Sequence, residues 1–316
     1  MPSSQKPIVV VGSINIDLVA NAEKIPLAGE TVRGSDFQVH PGGKGANQAV
    51  AVARLDYPVQ LIGKVGTDVF GEQLLSSLQE SGVNVNAVAR HEGTSGVAMI
   101  AVSPRGENSI IVTPGANAQV TPHFLDSHRE TIRGAGIVLA QLEIPIETVA
   151  YLADICGEEE IPLMLDPAPA HALLPGILRH LRWFTPNETE AAFFASQLAE
   201  GARKREPEQI ANVLLAAGFG NVVLKMGSGG VYLSSTDGSA NAFSQLIPAF
   251  PVKAVDTTAA GDAFNGAFAT ALMLGMPQEE AARFAAAAAA VSVTRHGAQP
   301  SMPTRAEVDE LLGAHR

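Results

Sequence analysis

Several things are scarce in this chain, and each scarcity removes a class of function. Its 316 residues include a single cysteine, Cys156. One thiol excludes an intramolecular disulfide and a multi-thiolate zinc site, and it fits a reducing compartment. Lysine and arginine form no block beyond the short Arg203-Lys204-Arg205, and 21 basic against 32 acidic side chains give a net charge of −11. Binding to a phosphate backbone needs a basic face, so nucleic acid is not an expected partner. Ahead of Gly12 lies an apolar run of four residues, too short for a signal-peptide core. The longest apolar run, Phe284 to Val291, is mostly alanine. It falls far below the ~20 residues of a membrane span. The expectation is a soluble cytoplasmic protein with no membrane partner.

Two nucleotide signatures are lacking as well. The pattern G-x-x-x-x-G-K-[ST] is absent, because Lys44 sits in Pro41-Gly42-Gly43-Lys44-Gly45-Ala46 and is followed by Asn47. The pattern G-x-G-x-x-G fails at its last position in Gly227-Ser228-Gly229-Gly230-Val231-Tyr232. A P-loop protein and a nicotinamide-dependent oxidoreductase both lose support.

What is present describes a globular α/β chain, with 46% hydrophobic and 17% charged residues. Strand-like runs at Ile8–Val11, Val59–Val65, Ile137–Leu142, Ile161–Leu165, Trp183–Thr185 and Asn221–Met226 carry no polar alternation. Helix-like segments at Gly71–Ser81, Pro122–Arg133, Ile146–Cys156, Glu188–Ala199, Pro207–Ala217 and Ala260–Leu274 separate them. That order implies a mostly parallel sheet covered on both faces. No internal repeat or flexible linker divides the chain, so residues 1–316 read as one domain. Thr31–His40 and Gly96–Thr113 break the rhythm, the second as a hairpin around Pro104-Arg105-Gly106. They form either a small lid sheet or an antiparallel extension of the main one.

Five segments carry candidate chemistry. In Gly12-Ser13-Ile14-Asn15-Ile16-Asp17, Asn15 and Asp17 point to one side of an extended chain. They form a donor–acceptor pair suited to a polyhydroxyl ligand, or a solvated turn. Pro41 to Gln48 opens a helix with paired glycines, which places Lys44 and Asn47 on neighbouring positions of the first turn. In Thr185-Pro186-Asn187-Glu188-Thr189-Glu190, Asn187 and Glu190 either hold Mg²⁺ through its waters or form a capping box. The loop Lys225 to Gly230 joins two strands and is either a nucleotide bed or a tight turn. In Asp256 to Gly266, D-T-T-A-A-G-D-A-F-N-G, a helix begins at Ala259-Ala260-Gly261-Asp262. Its free N–H groups suit an anion, and Asp262 suits a general base or merely complements the helix dipole.

Taken in order, G-S-I-N-I-D, P-G-G-K-G-A-N-Q, Q-L-E, T-P-N-E-T-E, D-T-T-A-A-G-D-A-F-N-G and V-T-R-H-G-A-Q-P-S resemble the ribokinase-type family of carbohydrate kinases over nearly the whole chain. The resemblance implies a three-layer sandwich, a central mostly parallel sheet between helices. A β lid would come from about residues 14–41 and 96–113 and pair between subunits of a homodimer. It implies Asp262 as the base, and Ala260 with Gly261 as the anion hole. Asn15, Asp17, Gly43, Lys44, Asn47 and Glu143 would hold the sugar. Asn187, Lys225, Gly227, Gly230 and Gly261 would contact ATP, and Glu190 would support Mg²⁺. Asp256, Thr258, Ser292, Arg295, Gly297 and Ser301 would hold an activating K⁺. Lys225 stands where threonine is common, Ala286 where a larger polar residue often borders adenine, and Thr258 where isoleucine is frequent. The implied reaction moves the γ-phosphate of ATP to the 5-hydroxyl of D-ribose. Deoxyribose, fructose or a nucleoside are alternative acceptors, and a sugar sensor without catalysis is a more distant reading.

Overall fold

The computed structural model describes residues 5–174, 176–199, 201, 206–235 and 243–315. The basic triplet Arg203-Lys204-Arg205 lies outside these residues. Strands β1 (Ile8–Val11), β4 (Val59–Gly66), β5 (Asn84–His91), β8 (Ile137–Ala140), β9 (Leu163–Leu165), β10 (Leu181–Phe184), β11 (Asn221–Lys225), β12 (Val231–Ser235) and β13 (Phe243–Ile247) form one sheet. Their order is β13-β12-β11-β10-β9-β8-β1-β4-β5. Only β12 runs against the others among the described residues. The central strands are apolar on both faces because both faces are covered: Ile8 and Val10 join one core cluster, Val9 and Val11 the other. From β1 the chain first builds outward through β4 and β5, then returns to β8 and builds the other way. The order therefore reverses between β1 and β8, and α/β sheets bind ligands beyond the strand ends at such a point.

One face is covered by α1 (Lys44–Arg54), α2 (Val69–Glu80), α8 (Ala260–Met273), α9 (Gln278–Ser292) and α10 (Arg305–Ala314). The other is covered by α3 (Pro122–Asp126), α4 (Arg129–Arg133), α5 (Ile146–Glu158), α6 (Glu188–Leu198) and α7 (Pro207–Ala216). The segment read as one helix from Pro122 to Arg133 is thus two short ones, broken at Ser127-His128.

The two segments that break the rhythm do build a second sheet. It consists of β2 (Asn15–Ala22), β3 (Gly34–Gly42), β6 (Gly96–Val102) and β7 (Asn108–Thr113), in the order β3-β2-β6-β7. Its register separates two faces. Asp17 lies beside His40 and Ala98, with Val112 beyond, while Leu18 lies beside Val39 and Met99, with Ile111 beyond. The first row faces a cavity against the main sheet, which Val112 helps to line. In the second row Val39, Met99 and Ile111 are exposed, as is the neighbouring Phe37. Such a row of apolar side chains on an outer face is unusual for a sheet meeting water.

Candidate active site

Where β1 ends, the chain passes through Gly12, Ser13 and Ile14 into β2, so Asn15 and Asp17 stand on the second sheet rather than at the edge of the first. Helix α1 begins against this junction. Its N-cap, Gly43, has φ +88°, and a side chain there would lie 2.7 Å from the Asn15 nitrogen, so only glycine permits the approach. The Ala46 N–H donates to Ser13 O at 2.9 Å and the Lys44 N–H to Glu143 Oε2 at 3.1 Å. Ser13 Oγ donates to the same Glu143 oxygen at 2.5 Å. Glu143 follows β8, so the reversal of strand order brings it to the start of α1. Asn117, buried and beyond β7, receives the Ile14 N–H at 2.9 Å and donates to Asn15 Oδ1 at 2.7 Å, which fixes the orientation of the Asn15 amide. Asn15, Asn117 and Glu143 with Val112, Leu142, Ile144 and others enclose a cavity of about 340 Å³.

Asp262 is buried, 4% exposed. Helix α8 crosses α1 at Gly266, one turn further on, where a side chain would lie 2.6 Å from Ala51 Cβ. This close crossing carries the Asp262 carboxylate to the first turn of α1. Oδ2 accepts from Asn47 Nδ2 at 3.0 Å and Oδ1 from Gln48 Nε2 at 3.1 Å. Gln48 Nε2 also donates to Asp166 Oδ2 at 3.0 Å, and Gln48 Oε1 accepts from Gln141 Nε2 at 2.8 Å. Burial pushes the Asp262 carboxyl up to about 6, with Asp166 adding to the rise while Lys44 and the two amides oppose it. Burial likewise pushes Asp17 up to about 7, reinforced by Glu143 and Asp262. For Lys44 burial works against the charge, but Asp262, Asp166, Glu143 and Glu190 outweigh it and hold the ammonium above its ordinary range. At neutral pH the site thus holds a firmly charged ammonium beside a buried carboxylate with raised proton affinity.

The start of α8 is left open. Ala259 precedes it with φ +58°, a conformation that costs a non-glycine residue on the order of 1 kcal/mol. The other non-glycine residues with positive φ, Asp56 and Glu160, follow helix C-termini, where that conformation is ordinary. No side chain caps α8. Ala260 N–H reaches Thr257 O at 3.3 Å and Ala263 N–H reaches Ala259 O at 2.9 Å. Between them the Gly261 and Asp262 N–H groups find no acceptor among the described residues. A strained entry that leaves main-chain donors free is a nest for an anion.

Helix α6 starts differently. Asn187 Oδ1 accepts the Glu190 N–H at 2.9 Å, and Glu190 takes the Asn187 N–H at 2.8 Å and Nδ2 at 2.9 Å. The capping box is therefore present. Glu190 is 8% exposed and its carboxyl is raised, first by burial and then by Asp166. Lys225, at the end of β11, donates its N–H to Pro186 O at 2.9 Å and its Nζ to Asp166 Oδ1 at 3.0 Å. Gly227 to Gly229 form one short helical turn and Gly230 has φ +91°.

Before α8, Asp256 ties two loops together. Its carboxylate accepts the Thr258 N–H and the Gly297 N–H, each at 2.9 Å. Burial opposes the charge, but these donors hold the carboxyl below its ordinary value. Arg295 turns its guanidinium to Glu307 on α10 and away from this loop. The Ser292 and Ser301 hydroxyls donate to carbonyls of their own segments, at Ala289 and Ala298. Thus the structure gathers Asp256, Thr258 and Gly297 through direct bonds, while the side chains of Ser292, Arg295 and Ser301 are engaged elsewhere. Among the described residues no group of three or more His, Cys, Asp or Glu is arranged to hold a metal ion.

Sequence reasoning assigned no role to Ser13, Gln48, Asn117, Gln141 or Asp166. Ser13, Gln48 and Gln141 stand inside the motifs G-S-I-N-I-D, P-G-G-K-G-A-N-Q and Q-L-E, which is the signal that could have found them.

A buried carboxylate of raised proton affinity beside an open helix start, with a cavity bordered by Asn15, Asn117 and Glu143 at the switch point, is the arrangement a phosphotransferase with an alcohol as acceptor requires. The comparisons agree. The pfkB family carbohydrate kinase profile matches residues 5–305, and the chain belongs to that family. The chain is 44% identical over 306 residues to a ribokinase of Bacillus subtilis, covering 96% of this chain and 99% of that one. Among solved structures, a ribokinase from Thermotoga maritima superposes with a TM-score of 0.89 at 39% identity, over 97% of this chain and 99% of the other. An Arabidopsis thaliana ribokinase complexed with ribose and ATP gives 0.87 at 36% identity, over 97% and 98%.

Proposed function

We propose that this carbohydrate kinase transfers the γ-phosphate of ATP to the 5-hydroxyl of D-ribose, giving ribose 5-phosphate and ADP. One observation carries the reading. Asp262, held by Asn47 and Gln48, shares the first turn of α8 with unpaired main-chain donors, within the field of Lys44 and Asp166. Asn15, Asp17, Gly43, Lys44, Asn47 and Glu143 bind the sugar hydroxyls by paired donors and acceptors. The 5-hydroxyl attacks phosphorus in line as its proton passes to Asp262. The new O–P bond forms while the bond to the ADP oxygen breaks, and the electron pair leaves with ADP. Gly261 stabilises the charge on the transferring group through its free N–H, and Ala260, whose N–H keeps a long 3.3 Å bond to Thr257 O, flanks it at the open helix start.

ATP lies against Asn187, Glu190, Lys225, Gly227, Gly230 and Gly261. Each Glu190 oxygen accepts one bond from Asn187 and keeps further acceptor capacity, through which the carboxylate would meet the waters of Mg²⁺. When bound, the ion supplies charge neutralisation to the phosphates. Asp256, Thr258, Ser292, Arg295, Gly297 and Ser301 would hold K⁺, largely by carbonyls. The low carboxyl of Asp256 and the pairing of Arg295 to Glu307 fit a cation there. The exposed row Val39, Met99 and Ile111 supports a homodimer joined through the second sheets. A reducing cytoplasm suits Cys156, a buried thiol that burial pushes up to about 12. No helix among the described residues is long and apolar enough to cross a membrane.

The test is coupled ADP release across ribose, deoxyribose, fructose and nucleosides, with and without K⁺. Ribose is expected to give the highest kcat/KM, and K⁺ to raise it. A higher kcat/KM for another acceptor would replace ribose, and no ADP release with any sugar would remove the enzyme reading.

A further inference from the structure

Lys225 poses a problem that ATP binding in general does not answer. Its ammonium lies 3.4 Å from where a side chain on Gly261 would begin, over the first turn of α8. A helix start is partly positive and repels a cation, so carboxylates are its usual neighbours. The lysine nevertheless has only 12% of its side chain exposed, and its one counter-ion within 4 Å among the described residues is Asp166, at 3.0 Å. Its backbone is pinned to the start of α6 through Pro186 O, so the side chain crosses the site from one helix start to the other. Two positive features set side by side in a dry place become favourable once an anion lies between them.

Resting on the phosphotransfer reading, we propose that Lys225 is a catalytic residue whose ammonium binds the oxygens of the phosphoryl group in flight, jointly with the Gly261 main chain. Asp166 is its positioning residue. It holds the ammonium at Oδ1 and is itself held at Oδ2 by Gln48, whose same amide nitrogen holds the base Asp262. A continuous chain of bonds, Lys225–Asp166–Gln48–Asp262, thereby sets the cation that receives negative charge at a defined place relative to the carboxylate that removes the proton. An interaction made to the group in flight should strengthen in the transition state, where a contact to ADP would not.

The experiment compares the parent with Lys225→Met, Asp166→Asn and the double variant, using the best acceptor of the sugar panel. Two quantities are read: steady-state rates, and calorimetric affinity for ADP alone against ADP with aluminium fluoride and sugar, a mimic of the transferring group. Lys225→Met is expected to lower kcat about 10²-fold and to weaken the mimic complex in proportion, with ADP affinity kept within about threefold. Asp166→Asn is expected to lower kcat severalfold with KM for ATP unchanged. Since Lys225→Met leaves Asp166 buried and unpaired, the double variant guards against simple misfolding, and it is expected to stay slow. A double variant turning over within about threefold of the parent would show that Lys225 only neutralises Asp166. Equal losses for ADP and for the mimic would show a plain nucleotide contact. Failure of the kinase reading itself is seen separately, in a parent that releases no ADP with any sugar.

Discussion

Helices α6 and α8 both begin in this site, and the chain treats their first turns in opposite ways. At α6 a carboxylate and an amide close the helix: Glu190 and Asn187 satisfy each other and the free N–H groups. At α8 the entry is strained at Ala259, nothing caps the turn, and Asp262 directs its carboxylate to Asn47 and Gln48 on α1. A fold selected for stability alone would close both ends, since a cap contributes about 1 kcal/mol. On the proposed reaction, groups are left unsatisfied where a substrate supplies the partner: the α8 donors would receive a phosphate and Asp262 a proton. Asp17 belongs with them, as a mostly buried carboxyl raised to about 7.

The largest effect should come from the group that accepts the proton. Asp262→Asn is expected to lower kcat by at least ~10²-fold while sugar affinity, read by calorimetry, survives. Near-normal turnover would remove the base and with it the contrast between the two helices. In the parent, kcat/KM should fall with unit slope as the pH drops below about 6, because a protonated Asp262 cannot accept a second proton. A flat profile between pH 7 and 5 would speak against the assignment. Asp17 tests the cost of leaving charge unpaired. Its carboxyl rises from 3.8 to about 7 on folding, so its favourable contribution is complete below pH 3.8 and is lost as the pH rises through about 7. Asp17→Asn should therefore gain on the order of 2 kcal/mol at pH 8 and nothing at pH 4, after discounting for partial exposure. It should also raise the sugar KM. Denaturant melts at the two pH values decide it, and an equal gain at both would show that charge is not the cause.

How much of this was legible in the sequence depends on the distance between partners. The central strands announce themselves because apolar runs such as Ile8–Val11 and Ile137–Ala140 have no solvent-facing side. The second sheet was visible as segments out of rhythm, and the start of β2 at Asn15 falls within a residue of the lid boundary that the family resemblance implied. Helix α9 escaped because a stretch of alanines has no polar face to set a period, and it reads as helical only once α8 packs on it. At the site, motifs whose residues work within one turn, such as Asn187 with Glu190, could be read locally. Asp166 and Asn117 could not, since their partners stand 118 and 102 positions away and only the strand order brings them together. The family resemblance supplied the roles of Glu143 and Asp256 that spacing alone left silent.

Smaller effects would come from exchanging the character of helix starts. Ala259→Asp places a carboxylate at the open turn of α8, in a conformation that aspartate tolerates. It should stabilise the free protein by about 0.3–1 kcal/mol through the dipole, yet lower kcat/KM for ATP about tenfold by competing with the phosphates. Stability and activity moving together would mean that the nest does not bind an anion. The smallest effect belongs to α10, closed by Thr304 and Glu307 as α6 is closed, but remote from the carboxylates around Asp262. Thr304→Ala should cost about 1 kcal/mol, and roughly 2 °C in Tm, without altering kcat. Glu307 gives that last variant a further use, because the same carboxylate pairs with Arg295 of the proposed K⁺ loop. If the box only closes a helix, activation by K⁺ is unchanged in Thr304→Ala. A weakened response to K⁺ would mean instead that α10 holds the cation loop in place, and that a closed helix start can serve catalysis from a distance.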